Sequence, residues 1–244
     1  MYEKYQTEIS WKYVQKIASN LSKPVTIIGG WAIYFLVKDK FREIYARDYL
    51  GSKDIDLGYN LNNGNLLNSN LYKDIFYLKK IGFRILGFRL MQEFHTETKK
   101  KLDLEEAKKT PSHFIYHIYI DLIVNHIPRD FKNVFGFNPI DEPLLDLVYS
   151  GRNIKVNNFI IPTPELMLAM KLNSVLGRDK EHKMVKDVCD IFALLYCSKI
   201  KLKEFYKIYN KNKARKILKE LNIEDASKLL DIDKNVIKRI FDEV

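Results

Sequence analysis

The sequence predicts an α+β fold, with a mixed sheet flanked by helices and then a helical C-terminal region. Short runs of β-branched and aromatic residues alternate with helical patterns as far as about residue 162. From Thr163 onward the apolar residues recur with helical spacing only, and the proline after Thr163 suits the first position of a helix. We therefore predict a mixed domain over residues 1–162 and a helical domain over residues 163–244.

The composition indicates a chain with a sizeable core and a basic surface. Hydrophobic residues make up 46% of the sequence, and the formal net charge is +10. Positive charge favours polyanionic partners such as nucleotides, RNA or DNA, although a solvated lysine-rich surface gives the same number. The first residues are polar, and no apolar run approaches the roughly 18 residues of a membrane span. The two cysteines fit neither a disulfide framework nor a zinc site. We expect a soluble, cytoplasmic protein without membrane contact.

The first elements are predicted in the order helix, strand, helix, strand. Residues 7–21 place apolar side chains on one helical face. The run VTIIGG predicts a short buried strand that ends in Gly29 and Gly30, and WAIYFLV begins a buried helix. A polar, irregular stretch through Arg42 and Arg47 then leads to SKDIDLGY, which predicts a second strand.

The middle of the chain adds one helix and the strongest strand signal. A helix is predicted from Leu66 to Ile81, and FRILGFRLMQEFH predicts a strand, or two short strands bent at Gly87. The charged run TKKKLDLEEAKKTPS predicts an exposed loop or short helix, and HFIYHIYIDLIV predicts a long strand. His113 is included in this strand. Alternation along it groups on one face His117, Tyr119, Asp121, Ile123 and Asn125.

The last third is predicted to be helical after one more strand, IKVNNFIIP. We predict helices over 164–176, about 180–197, about 201–221, and 224–243. From Lys199 to Glu220 there are nine Lys or Arg and two Glu, with Phe205, Tyr206 and Tyr209 between them. This stretch suits a nucleic-acid backbone, or else it is a solvated face over a buried aromatic stripe.

Three features carry chemistry when they are taken together. Gly29-Gly30 lies between a strand and a helix, where glycine lets a phosphate approach the positive end of the helix. Asp54 and Asp56 project side by side if their segment is a strand, and Asp121 is a charge in mid-strand that needs a partner. Taken singly, the first two indicate a tight turn and a surface feature, and Asp121 is equally consistent with a buried structural aspartate and a functional one. Jointly, three carboxylates can hold two Mg²⁺ ions about 4 Å apart beside a triphosphate site.

This ordered set resembles the nucleotidyltransferase superfamily, which includes DNA polymerase β. The chain is most similar to its AbiEii-like and minimal-nucleotidyltransferase-like branch in prokaryotic toxin–antitoxin systems. The closer likeness covers roughly residues 25–195, with gaps. It is carried by the runs IIGGWAIYFL, SKDIDL, IYIDLIV, PTPELMLAMKLNSVLGR and KMVKDVCDIFALL. The helical pattern of the branch maps onto Lys171, Arg178, Lys186, Asp187 and Asp190.

The resemblance implies a nucleotidyltransferase-type sheet and a role for each matching residue. Asp54, Asp56 and Asp121 would bind two Mg²⁺ ions, with Asp121 helping to deprotonate the attacking hydroxyl. Lys171 would be catalytic, as a point charge on a phosphate, unless it is a solvated lysine. The residues implied in nucleotide binding are Gly29, Gly30, Ser52, Lys53, Arg178 and Asp190. Asp187 and Asp190 would orient basic side chains, or else form ordinary helix salt bridges.

The activity implied is Mg²⁺-dependent transfer of a nucleoside monophosphate from a triphosphate to a hydroxyl, with release of pyrophosphate. The acceptor would be an RNA 3′ end, such as that of tRNA, or a partner protein in a toxin–antitoxin setting. Many relatives carry an arginine where this chain has Leu50, and the nearest arginine is Arg47. One alternative is therefore a non-catalytic module that binds nucleotide or nucleic acid. Another is a nucleotidyltransferase for small cationic substrates, against which the net charge argues.

Overall fold

A mixed sheet of eight strands forms the centre of the fold in the computed structural model, which describes residues 4–61, 66–178 and 180–244. Helices flank this sheet, and the chain after Pro162 is helical. The predicted α+β fold class, with a helical C-terminal region, is confirmed.

Strands and helices are numbered in chain order within the described residues. The strands are β1 (Val25–Ile28), β2 (Ile55–Tyr59), β3 (Arg84–Leu86), β4 (Arg89–His95), β5 (Ile115–Val124), β6 (Ile140–Asp141), β7 (Asn153–Val156) and β8 (Phe159–Pro162). The helices of the mixed part are α1 (Lys4–Asn20), α2 (Gly29–Tyr45), α3 (Asn70–Lys80), α4 (Leu104–Lys109), α5 (Phe131–Phe135) and α6 (Leu145–Tyr149). The later helices are α7 (Pro164–Val175), α8 (Glu181–Cys197), α9 (Leu202–Phe205), α10 (Lys211–Glu220), α11 (Glu224–Leu230) and α12 (Lys234–Asp242).

The register of the central strands brings distant parts of the chain side by side. The sheet order is β3-β4-β5-β2-β1-β8-β7, and β6 pairs with β5. Strand β2 runs antiparallel to β1 and parallel to β5, while β4 runs antiparallel to β5. As a result Ile28, Asp56, Asp121 and Arg89 follow one another across four adjacent strands.

Hydrophobic side chains explain why these strands are central. All four residues of β1 are buried, as expected for a strand with neighbours on both sides and helices over its faces. In β2 and β5 the fully buried residues Ile55, Leu57, Ile120 and Leu122 anchor the two strands in the core. Asp56 and Asp121 are therefore held by rigid, packed backbone.

Several N-terminal elements depart from the predicted bounds. Helix α2 continues to Tyr45, so Arg42 lies in a helix rather than in an irregular stretch, and Ala46 ends the helix with a left-handed φ of 52°. Strand β2 begins at Ile55, so Asp54 lies just before the strand rather than in it. The two short strands bent at Gly87 are confirmed as β3 and β4.

Other departures lie in loops and in the C-terminal region. His113 lies in a 3-10 turn before β5, not on the strand. The run IKVNNFIIP forms the hairpin β7–β8, which turns at Asn157 with a positive φ. The helix predicted over 201–221 is two helices, and Asn210 caps the second. The helix predicted over 224–243 is also two helices, because Asp231 adopts a left-handed φ of 48°. Helices α7 and α8 confirm the other two predictions.

The later helices pack on the mixed part through α2. Helix α8 contacts α2 and α7, and α11 and α12 contact α8 in turn.

A lipid bilayer could not be crossed by any helix in the described ranges, because each is too short or too polar. The division at residue 162 stays a prediction.

Candidate active site

The turn between β1 and α2 is built so that backbone and carboxylate touch. Gly29 has a φ of +61°, and a Cβ atom there would lie 1.9 Å from Asp56 Oδ2. A Cβ atom on Gly30 would lie 2.8 Å from Ser52 Oγ. The two glycines therefore allow helix α2 to begin directly against Asp56 and Ser52.

The structure brings the three predicted carboxylates into one cleft. Asp56 and Asp121 lie opposite each other on adjacent parallel strands, whose spacing is about 4.8 Å. Asp54 lies two residues before Asp56, and its side chain faces the same cleft. The cleft has a volume of ≈ 90 Å³. Its lining also includes Gly30, Ser52, Lys171, Arg178, Lys183, Lys186, Asp187 and Asp190.

The crowding of like charges disturbs the protonation of these groups. Burial, together with the charges of Asp121 and Asp54, raises the pKa of Asp56 to about 7. Burial also raises the pKa values of Asp54 and Asp121, against the opposing charge of Arg89. One oxygen each of Asp54 and Asp121, the Oδ1 atom, is buried and has no hydrogen-bond partner among the described residues. Nearby cations would stabilise the charged forms of these three carboxylates.

The sequence reasoning missed Arg89, which supplies one such cation. Its Nη2 atom lies 2.6 Å from Asp121 Oδ2, and only 15% of the Arg89 side chain is exposed. The guanidinium lies over the ring of Tyr119, 4.4 Å from its centroid. The signal in the sequence was the run FRLMQEFH, which predicts a strand, but only strand pairing shows that Arg89 opposes Asp121.

Lys171 lies in a buried ion network rather than free in the cleft. Its Nζ atom is 2.5 Å from Asp187 Oδ1 and 2.8 Å from Asp190 Oδ2. Burial alone would lower the pKa of Lys171, but the two carboxylates outweigh it and raise that pKa. The alternative of a solvated lysine is therefore wrong, because Lys171 is only 7% exposed. A free role in binding phosphate would require Lys171 to leave two buried carboxylates.

Three further groups complete the network beneath the cleft. Arg178 Nε donates to Asp187 Oδ2 at 2.7 Å, and Lys186 pairs with Asp190. The hydroxyl of Tyr49 donates to Asp190 Oδ1 at 2.7 Å. Burial disfavours the charge of Asp190, but Lys171 and Lys186 outweigh it and lower the pKa of Asp190. Asp187 and Asp190 thus pair with Lys171 and Arg178, and the pair of Lys186 with Asp190 is an ordinary helix salt bridge.

The other predicted nucleotide-binding residues differ in how they face the cleft. Ser52 lines it, but its hydroxyl donates to the backbone carbonyl of Asp54 at 2.8 Å. Lys53 is half-buried outside the lining, and burial lowers its pKa. Arg47 binds the carbonyl of Leu230 and so faces the C-terminal helices. Arg47 is not among the residues that line the cleft.

The carboxylates suit Mg²⁺ in donor chemistry. In the described ranges no three His, Cys, Asp or Glu side chains are grouped tightly enough to hold a metal as they stand. The unpartnered Oδ1 atoms of Asp54 and Asp121 and the raised pKa of Asp56 nevertheless indicate a site short of positive charge. Oxygen-only ligands are those that Mg²⁺ prefers. Asp54, Asp56 and Asp121 are therefore the residues that would hold it.

The remaining sequence candidates lie outside the cleft. Phe205 and Tyr209 are buried in the helical region, while all nine Lys and Arg between Lys199 and Glu220 are exposed. That stretch is thus an exposed basic face over buried rings. Binding of a nucleic-acid backbone to it stays a prediction. His117 pairs with Glu93 at 3.6 Å.

Fold and cleft together define an α+β protein with an acidic cleft at a strand–glycine–helix turn. No family model matches the chain, and no curated protein matches it.

The solved structures that are similar to this chain include the following two. The Megavirus polyadenylate synthase has 14% identity and a TM-score of 0.40, over 79% of this chain and 32% of the viral one. This chain thus spans about a third of that protein's length. An antigenic nucleotidyltransferase-like protein from Paracoccidioides brasiliensis has 16% identity and a TM-score of 0.49, over 96% of this chain and 92% of that one. Both TM-scores lie below 0.5, and both identities lie below 25%.

Proposed function

We propose that the protein is a Mg²⁺-dependent nucleotidyltransferase that moves a nucleoside monophosphate from a triphosphate to a hydroxyl. The observation that carries this proposal is the convergence of Asp54, Asp56 and Asp121 in one cleft beside Gly29-Gly30. Asp54 and Asp56 come from the start of β2, Asp121 from β5, and the glycines from the turn after β1, three segments that are far apart in sequence. Carboxylate clusters next to a glycine turn at a helix N-terminus serve phosphoryl transfer, in which positioning and charge stabilisation provide most of the catalysis.

The start of helix α2 and the three carboxylates each have a part in this reaction. The N-terminus of the 17-residue helix α2 offers backbone N–H groups and its positive end to phosphate oxygens. Mg²⁺, when bound by the carboxylates, would neutralise the charge of the transferring phosphate. Asp121 accepts the proton of the attacking hydroxyl, whose oxygen bonds to the α-phosphorus. The bond from that phosphorus to the bridging oxygen breaks, and pyrophosphate leaves.

The acceptor that we propose is an RNA 3′ end, such as that of tRNA, with a partner protein as the alternative. The net charge of +10 supports a polyanionic acceptor. A toxin–antitoxin setting, and a cytoplasmic one, follow from the resemblance in sequence alone.

The test is transfer of label from each of four α-labelled triphosphates, with Mg²⁺ and bulk tRNA as acceptor. We expect label on RNA or protein with wild type, and at least about a hundredfold less with Asp54→Asn. Asp141→Asn changes an exposed aspartate outside the cleft and should label like wild type. Equal labelling by wild type and Asp54→Asn would refute the assigned site.

A second candidate function is a non-catalytic nucleotide-binding module. The observation that favours it is the ion pair of Arg89 with Asp121, in which a protein cation occupies a carboxylate that the reaction needs. Calorimetry with a Mg²⁺–triphosphate complex separates the two. Binding without any labelled product would favour the module.

A further inference from the structure

The sheet face next to the carboxylates carries an aromatic platform, which we define as Phe88, Arg89 and Tyr119. Phe88 follows Gly87 at the turn between β3 and β4, and 49% of it is exposed. The guanidinium of Arg89 lies 4.8 Å from the centroid of the Phe88 ring and 4.4 Å from that of Tyr119. An exposed ring backed by a guanidinium offers a flat surface of the kind on which bases stack.

The platform is continuous with the cleft. Tyr119 lies two residues before Asp121 on β5 and therefore on the same face. Arg89 joins the two directly through its ion pair with Asp121. The Arg89 guanidinium thus links the ring of Phe88 to the carboxylate that accepts the hydroxyl proton, so the sugar of a nucleotide stacked on Phe88 can extend toward Asp121.

The position of the platform in the sheet decides which substrate it serves. The glycine turn follows β1, on one side of the carboxylates of β2 and β5, whereas the platform lies on β4 and β5, on the other side. In phosphoryl transfer the attacking and leaving oxygens lie roughly in line, on opposite sides of the phosphorus. Because the pyrophosphate leaves toward the glycine turn, the attacking hydroxyl must come from the platform side.

We propose that the platform binds the terminal base of a single-stranded nucleic acid and so sets its 3′-hydroxyl beside Asp121. This rests on the proposed function. The exposed basic face between Lys199 and Glu220 can attract a nucleic-acid backbone, but its most enclosed rings, Phe205 and Tyr209, are buried and cannot stack on a base. The platform combines an exposed ring with a cation at the cleft, which suits an unpaired base better than a protein side chain.

Binding without triphosphate or metal tests the platform apart from catalysis. The probes are 5′-labelled ten-nucleotide RNA and DNA single strands of one sequence, each with a normal or an abasic 3′ residue, and the RNA duplex. Fluorescence anisotropy with the full chain at about 50 mM salt gives the Kd. We expect Phe88→Ala to weaken binding of the intact RNA strand roughly five- to a hundredfold, and Phe88→Tyr to stay within about twofold of wild type.

The controls separate stacking from general effects. Phe76→Ala removes another exposed phenylalanine, 68% exposed on α3, and should leave the Kd unchanged. Removing the terminal base should weaken wild type by about the same factor as Phe88→Ala. The two losses should not multiply when they are combined, because both remove the same contact. A similar pattern with the DNA strand would extend the acceptor class to DNA, while weak duplex binding would support an unpaired end.

Several outcomes overturn the proposal. One is that the wild type fails to bind the single-stranded oligonucleotide, and another is that Phe88→Ala binds it as tightly as the wild type does. The third such outcome is that the losses from Phe88→Ala and from the abasic end multiply when they are combined. If label is transferred to a protein acceptor and oligonucleotide binding does not depend jointly on Phe88 and the terminal base, the role of the platform is refuted while the proposed function stands. If oligonucleotide binding does depend jointly on Phe88 and the terminal base, but no label is transferred from any triphosphate, the role of the platform is supported and the proposed function is contradicted.

Discussion

At the scale of single residues, glycine and aspartate are in direct contact at the base of the cleft. Two features require glycine at position 29. Its φ is left-handed, and a Cβ atom there would lie only 1.9 Å from Asp56 Oδ2. The sequence singled out Gly29 as a phosphate turn. The structure adds that it also determines where Asp56 can lie.

Comparing Gly29→Ala with Gly87→Ala should separate the cost of the left-handed φ from the cost of the contact with Asp56. Gly87→Ala is the matched control, since Gly87 has a φ of +59° but nothing within 4 Å of its Cβ position. We expect Gly87→Ala to lower the free energy of unfolding by about 1–2 kcal/mol, the cost of a left-handed alanine. Gly29→Ala should cost about 3 kcal/mol or more, because Asp56 must also move. Urea denaturation measures both, and equal losses would contradict the close contact.

At the scale of elements, helices α7 and α8 are joined through buried charges. Lys171 of α7 contacts Asp187 and Asp190 of α8, and Asp190 also reaches Tyr49, which precedes β2. Such a network holds the helices in one register because each buried charge needs its partner. The resemblance implied that Asp187 and Asp190 orient basic side chains or form ordinary helix salt bridges. Only packing decides that the pairing is buried.

The network predicts a structural cost for Lys171→Met. Removing its charge leaves Asp187 and Asp190 under-compensated, and we expect a loss of about 3–5 kcal/mol in the free energy of unfolding. Lys183→Met is the control, because Lys183 lines the same cleft but makes no salt bridge among the described residues. It should cost less than about 1 kcal/mol. Chemical denaturation distinguishes them, and a negligible change for Lys171→Met would mean that the lysine is a free phosphate ligand.

At the scale of the whole molecule, the mixed sheet and the later helices share the cleft. Asp54, Asp56 and Asp121 come from the sheet side, and Lys171 and Arg178 come from α7 and the segment after it. The carboxylates repel one another, so the cleft lowers the stability of the fold while it gathers the groups for chemistry. Stability should therefore depend on the protonation of the cleft.

The pH dependence has a definite sign. The pKa of Asp56 is raised from 3.8 to about 7, so the folded state keeps a proton that the unfolded chain releases. The stability from that proton is fully present below about pH 4 and is lost as the pH rises through about 7. The charges that act on Asp56 are Asp54, Asp121, Lys171 and Arg178.

Thermal unfolding in EDTA between pH 5 and pH 8 measures this effect. The Tm of Asp56→Asn should fall less than that of wild type over this range, so that the variant is the more stable protein at pH 8. Asp141→Asn should follow wild type. Added Mg²⁺ should raise the Tm of wild type at pH 8 more than that of Asp56→Asn. A variant that is less stable than wild type at pH 8 would contradict the assigned repulsion.

Local pattern determined most of the elements and the acidic residues of the cleft. The strands of VTII and HFIYHIYIDLIV and the proline-initiated helix at Pro164 follow from short-range preferences. The breaks within 201–221 and 224–243 could not be predicted in this way, since both segments keep a helical apolar period. A cap at Asn210 and a left-handed Asp231 interrupt them.

By itself, the sequence determined an α+β chain with a glycine turn and three candidate carboxylates in a meaningful order. Only the tertiary structure decided that Asp56 opposes Asp121, that Arg89 pairs with Asp121, and that Lys171 is buried. The reason is physical. The sequence gives directly the identity of each side chain and the local period of its hydrophobic residues. Strand register and the dielectric around a charge instead depend on residues that folding brings together from far apart in sequence.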